Sequence, residues 1–245
     1  MKIIALSEGA FTIDKTKQFI SFDIEKDNLQ ERSAGSLLVE IQPFIIITSK
    51  DILLLDTGLG FSNGDGILQI HQNLLKNGID PSAVTKVLMS HLHKDHSGGM
   101  SEMKDGNRIA SFTNATYYVN KQEYEYAIDN AKSSYITADF EFLKNSSNVK
   151  FIESNGSIDN YIKYEVTGAH CPFHQVFWIE ENNEKIFFGG DVAPQLQQLK
   201  NRFIAKYDFD GRKSMELRQQ WKEDGERENW FFLFYHDIKN PVFQL

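Results

Sequence analysis

The chain has 245 residues, 41% hydrophobic and 24% charged, which is length and apolar content enough for a sizeable buried core and excludes extensive disorder. Its formal net charge of −8 counts against nucleic acid as a partner, because affinity for a polyanion comes largely from Lys and Arg. The tightest basic cluster, Lys200, Arg202 and Lys206, is small and reads as a solvated face.

Residues 3–6 open the chain as a short apolar strand that turns polar at Ser7 and Glu8, too early for a secretory leader. Residues 19–23, 36–41, 44–48 and 52–55 come next as β-branched, aliphatic or aromatic runs, with Pro43 and the polar stretch 49–51 between them. The period then changes to helical at Ile67, Ile70, Leu74 and Leu75, and Asn77-Gly78 stops that helix. Residues 84–90 form a buried strand and 115–119 another, and 121–145 is mostly helical in composition. Strands are expected at 149–152, 161–166, 175–180 and 185–188, with Asn182-Asn183 as a hairpin turn, then a helix at 215–224 and a last strand at 230–235. Strands followed by helices recur in both halves with no linker between them. The expected fold class is α/β (α+β): two β-layers covered by outer helices, in one domain over residues 1–245. No apolar run reaches transmembrane length, and the single cysteine, Cys171, excludes an intrachain disulfide, so a cytoplasmic protein without a membrane partner is expected.

The chemistry concentrates at the end of strand 84–90. His91, His93, Asp95 and His96 place three imidazoles and a carboxylate within six residues, just before Gly98-Gly99. Such a grouping at a strand end is suited to binding metal. His91 and His93 alternate around Leu92, so an extended backbone turns both rings to one side, where they can share a cation. Asp95 and His96 come as the chain turns, and offer an oxygen and a nitrogen donor to a neighbouring position.

With these residues the sequence resembles the metallo-β-lactamase superfamily, whose His-x-His-x-Asp-His motif is matched by His91, His93, Asp95 and His96. The strand ending Asp56-Thr57-Gly58 is similar to the family's upstream strand, whose aspartate braces the metal loop. Gly168-Ala169-His170, Gly189-Gly190-Asp191 and Tyr235-His236-Asp237 are similar to its later motifs. The resemblance implies a four-layer αββα sandwich of the metallo-β-lactamase type. It also implies that His91, His93 and His170 hold one divalent metal ion, that Asp95, His96 and His236 hold a second, and that Asp191 bridges them. Zinc suits these donors, as do manganese and iron(II).

The reaction expected of such a pair is attack of a bridging hydroxide on an ester, lactone or related bond of a small molecule, with Asp95 or Asp191 as the catalytic carboxylate that carries a proton to the leaving group. Related enzymes that retain the bridging aspartate include lactonases, glyoxalase-II-like thioesterases and phosphodiesterases. Only nine residues come after His236, without room for the helical C-terminal domain of glyoxalase II, and the organisation is nearest to lactonase-type members. Thioester or phosphoester hydrolysis is the alternative reading, ahead of a mononuclear-iron sulfur dioxygenase or a non-catalytic metal-binding protein. Several acyl-homoserine lactonases carry a substrate-contacting tyrosine three residues after the bridging aspartate, where this chain has Pro194, and Tyr207 or Tyr235 is a candidate substitute. His71 reads as a surface or packing residue, His174 as a support beside the metal ligands, and Cys171 as a small buried residue. Phe11, Phe173 and the region 200–211 are expected to line a pocket, and a homodimer is the expected assembly.

Overall fold

A computed structural model describes residues 1–245. Two six-stranded sheets organise it. The first runs in the order Lys2–Ala5, Phe44–Ile47, Ile52–Leu55, Lys86–Leu88, Thr116–Asn120, Val149–Ile152, antiparallel up to Ile52–Leu55 and parallel from there on. The second runs Gly156–Ile158, Ile162–Val166, Gln175–Glu181, Glu184–Phe188, Phe231–Leu233, Val242–Gln244, with one parallel pair, Glu184–Phe188 beside Phe231–Leu233. A three-stranded sheet, Phe19–Ser21, Gly9–Ile13, Leu37–Ile41, and a hairpin, Ser101–Lys104 with Asn107–Ala110, complete the β-structure.

The layering arises from the two-residue side-chain period of strands. Ile46, Leu55, Leu88 and Tyr118 of the first sheet meet Phe177, Phe188 and Leu233 of the second in a shared core. Their sequence neighbours Ile45, Leu54, Val87, Tyr117 and Val119 face the other way, onto Ile70 and Leu74 of the helix Gln69–Lys76 and Ala127 of the helix Lys121–Asp129. Val176, Phe187 and Phe232 likewise face Leu196 and Leu199 of the helix Leu196–Lys200 and Trp221 of the helix Gly211–Glu228. The inner strands, such as Phe44–Ile47, Ile52–Leu55 and Gln175–Glu181, are buried on both faces and read as nearly continuous apolar runs, whereas the outer Val149–Ile152 and Ile162–Val166 keep exposed residues. The outcome is the αββα sandwich anticipated from the sequence.

Some elements differ from expectation. The strand Gly9–Ile13 is not among the expected strands: its β-formers are only Phe11, Thr12 and Ile13 after Gly9-Ala10, and its place is fixed by pairing with Leu37–Ile41, a contact that local composition does not reveal. The stretch 121–145 is mostly helical as expected but broken into Lys121–Asp129, Thr137–Phe140 and a 3-10 turn Glu141–Asn145, because the intervening segment leaves the helix to reach the loop that follows Lys86–Leu88: Ser134 O accepts from Lys94 N at 2.8 Å. The last long helix is wider than 215–224. It spans Gly211–Glu228, capped by Asp210 and ended by left-handed Asn229. No helix is long and apolar enough to cross a membrane.

Candidate metal centre

Parallel strands Ile52–Leu55 and Lys86–Leu88 end side by side, and the loops that leave their C-terminal ends build the site. Asp56, fully buried, accepts hydrogen bonds from Ser90 N (2.7 Å), Ser90 Oγ (2.6 Å) and His96 Nδ1 (2.7 Å). Thr57 adds two donors, N and Oγ1, to the His96 carbonyl at 2.7 and 2.8 Å. His96 is thereby pinned at both backbone and ring, although it sits in a helix of only four residues, Lys94–Ser97. Tyr235 stacks on its ring at 4.1 Å and donates its hydroxyl to Asp95 O at 2.6 Å, a structural use of that tyrosine.

Donor atoms of His91, His93 and His170 lie within 4.8 Å of one another, as do those of Asp95, His96 and His236. A third such group, His91, His96 and Asp191, joins the two. Asp191 Oδ2 lies 3.2 Å from His170 Nε2, whereas Oδ1 lies 3.2 Å from His96 Nε2 and 3.0 Å from His236 Nε2. One carboxylate therefore faces both sets. Within the first set, His93 Nδ1 is 3.0 Å from His91 Nε2 and 3.2 Å from His170 Nε2. Tetrahedral zinc with bonds of about 2.1 Å would separate its nitrogens by about 3.4 Å, so the spacing suits a shared cation. His96 Nε2 and Asp191 Oδ1 are buried and make no hydrogen bond, as expected of atoms whose partner is a metal ion.

The rings are held by their other nitrogens. His91 Nδ1 meets Ser90 Oγ at 3.0 Å, His170 Nδ1 meets Asp208 Oδ1 at 3.0 Å and His236 Nδ1 donates to Glu40 O at 2.7 Å. Such contacts fix the tautomer that leaves Nε2 free for a metal. Burial, and after it the neighbouring imidazoles, pushes His91 well below the ordinary histidine range; burial and then His170 do the same for His93. Both are neutral and present lone pairs. Burial opposes charge on Asp191, but His236, His96 and His170 outweigh it and hold its carboxyl well below the usual range.

His174 lies beneath the site. Its Nε2 accepts from Asp191 N at 3.1 Å, and Gly190, with φ of 47°, has no room for a side chain because a Cβ would come within 2.6 Å of that nitrogen. Sequence reasoning missed Asp208, Glu40 and Glu123. Glu123 is fully buried behind the metal loop, where it accepts from Leu92 N, Tyr135 Oη and the Cys171 thiol. Asn120 ahead of a helical composition marks the helix start beside Glu123, but nothing local marks Asp208. His71 packs edge-on against Phe112, away from the centre. Phe11 packs against Phe19 and Phe61, Phe173 against Tyr126, and the ring of Tyr207 lies 6.0 Å from that of His170. Pro194 O accepts from His236 N at 3.0 Å, so this position serves the backbone of a predicted ligand.

The fold and the paired clusters define a class that family comparison identifies: the metallo-beta-lactamase superfamily matches residues 40–234, and the chain belongs to it. Within it, the chain is 36% identical over 121 residues to the N-acyl homoserine lactonase AttM of Agrobacterium fabrum, an alignment covering 44% of this chain and 40% of that protein. The chain thus spans less than half the length of this relative. It is 26% identical over 226 residues to the N-acyl homoserine lactonase AiiA of Bacillus thuringiensis subsp. kurstaki, covering 84% of each. Among solved structures it is similar in fold to AidC, a dizinc quorum-quenching lactonase solved with a product, at a TM-score of 0.74 and 18% identity, covering 98% of this chain and 88% of that one.

Proposed function

We propose that this protein is a dinuclear metal-dependent hydrolase that opens an ester or lactone bond of a small molecule, and that residues 1–245 act as one catalytic domain. The observation that carries the reading is Asp191, whose two carboxylate oxygens face two separate donor sets. His91, His93 and His170 would hold one ion, Asp95, His96 and His236 the other, and Asp191 both. When bound, two divalent cations, with zinc the first choice, supply hydroxide near neutral pH and draw charge from the scissile carbonyl.

The chain's own groups supply the rest. Neutral His91 and His93 hold no proton at the centre that would compete for it. Asp191 or Asp95, both facing the centre, would accept the proton released as the new C–O bond forms and return it to the leaving oxygen. His174 holds the Asp191 backbone, so the carboxylate does not swing as it gains and loses that proton. Phe203, Ile204 and Phe209 are exposed within the segment 203–209, whose Phe209 N–H bonds the His170 carbonyl at 3.0 Å. That apolar rim and the names of the relatives make N-acyl homoserine lactones the first substrates to try, ahead of thioesters and phosphoesters.

The deciding experiment is a metal-replete screen across lactones, thioesters, phosphoesters and β-lactams, with metal content measured in parallel. Lactone turnover, loss on chelation and recovery with near two equivalents of zinc are expected. Turnover that survives complete metal removal overturns the reading.

A further inference from the structure

We propose that Asp208 and Arg218 are positioning residues of the metal centre, which hold His170 and Asp191 in register from the helix Gly211–Glu228 behind them. The proposal rests on reading those two side chains as metal ligands. His170 and Asp191 come from different loops, yet they must converge to share an ion, and their Nε2 and Oδ2 atoms stand 3.2 Å apart. Each loop is tied to the same helix.

On the His170 side, the tie is a short ladder. Phe209 N donates to His170 O at 3.0 Å and Asp210 N to Ala169 O at 2.8 Å, so segment 208–210 lies along 169–170. This places the Asp208 side chain, 0% exposed, with Oδ1 3.0 Å from His170 Nδ1. Asp210 next accepts from Lys213 N at 3.0 Å and starts the helix. A carboxylate on Nδ1 fixes the ring and makes Nε2 a better donor to a metal.

On the Asp191 side, the tie is Arg218. It is 1% exposed, and it projects from the helix about two turns after the cap. Its guanidinium donates to Val192 O at 2.7 Å, the residue after Asp191, and also to Phe203 O in the loop that leads to Asp208. One planar fork therefore clamps the turn carrying Asp191 and the loop carrying Asp208. Lysine, a point charge on a flexible stem, does not reproduce that geometry. A buried guanidinium is expensive unless compensated, and here the compensation is two carbonyls and the nearby Asp208 charge, with Nε left without a partner. Simple helix anchoring would be met more cheaply by an apolar side chain.

The test uses the full chain as wild type, Asp208→Asn, Arg218→Lys and the double variant, each freed of metal and titrated with zinc against a chromophoric chelator. Thermal unfolding of the metal-free proteins is measured alongside. Asp208→Asn is expected to weaken zinc binding by about 10–100-fold and Arg218→Lys by about 10-fold, with a double variant short of the product of the two. Wild-type zinc affinity in both single variants, or a fall in metal-free stability alone, overturns the proposal. Should Arg218→Lys not fold, Asp208→Asn still decides it. A wild-type chain that binds no zinc overturns instead the metal-centre reading on which it rests.

Discussion

Asp56 and His96, 40 residues apart in sequence, share a 2.7 Å hydrogen bond between side chains that are both fully buried. The imidazole Nδ1–H donates, the carboxylate accepts, and the two Ser90 donors use the rest of the Asp56 oxygens. Asp56→Asn keeps the volume but removes the charge. It is expected to lower zinc affinity at the position formed by Asp95, His96 and His236 by about 10–100-fold. Asp56→Ala leaves His96 and Ser90 without their acceptor and is expected to cost about 3–5 kcal/mol as well. Zinc competition and urea unfolding on the two variants measure these separately; an Asp56→Asn protein with wild-type zinc affinity would mean that the brace is dispensable.

Asp191 is the one carboxylate that faces both donor sets, so its charge is the least replaceable in the centre. Asp191→Asn presents a neutral oxygen and an N–H in its place. Bound zinc should drop below two equivalents, and kcat should fall by about 10²–10⁴-fold, since the same group is assigned the proton transfer. Metal analysis and steady-state kinetics on the first lactone that turns over give both numbers. Wild-type kcat would remove Asp191 from the mechanism.

Four of the candidate donors were legible because neighbours on one loop can be spaced to suit a cation: His91 and His93 straddle Leu92, and Asp95 and His96 come within a turn of them, whereas His170, Asp191 and His236 came only with the family resemblance. Of their supports, Asp56 came with the family resemblance and His174 with its place four residues after His170, and the rest were not readable. The Glu40 carbonyl that orients His236 is backbone, identical at every position, and Asp208 lies 38 residues from the His170 it touches. Two β-layers under outer helices were readable because the inner strands are largely apolar and the helical period is distinct. Gly9–Ile13 was not, since its partner Leu37–Ile41 decides it. The hairpin after the metal loop did carry a local mark, Asp105-Gly106, whose φ values of 50° and 78° are those of a tight hairpin turn. Its polar strands hid it.

Phe187 offers a test of the outer core. Its ring is 4.9 Å from Trp178, 4.7 Å from Trp221 and 5.6 Å from Trp230, so it joins the second sheet to the helix Gly211–Glu228. Phe187→Ala leaves a cavity between them and should cost about 3–5 kcal/mol. Unfolding in urea monitored by tryptophan fluorescence reports it directly, since all of the chain's tryptophans border the cavity. A loss below about 1 kcal/mol would show that the helix collapses onto the sheet instead.

Glu8 gives the fold a pH dependence of its own. It is buried, its Oε2 accepts from Leu59 N at 2.8 Å, and its Oε1 has no partner. Burial pushes its carboxyl up to about 8, against the single opposing hydrogen bond from Leu59. In the unfolded chain the group titrates near 4.5, so between about pH 4.5 and 8 the folded state holds a proton that the unfolded state has lost. Stability from this group is therefore fully present below pH 4.5 and is lost as pH rises toward and through 8, by an amount on the order of 5 kcal/mol. Glu8→Gln never ionises and keeps an oxygen for Leu59. The variant should match wild type in urea at about pH 4.5, exceed it in stability at about pH 8, and show a flatter profile between them. Parallel profiles across that range would mean that Glu8 is already charged in the folded protein.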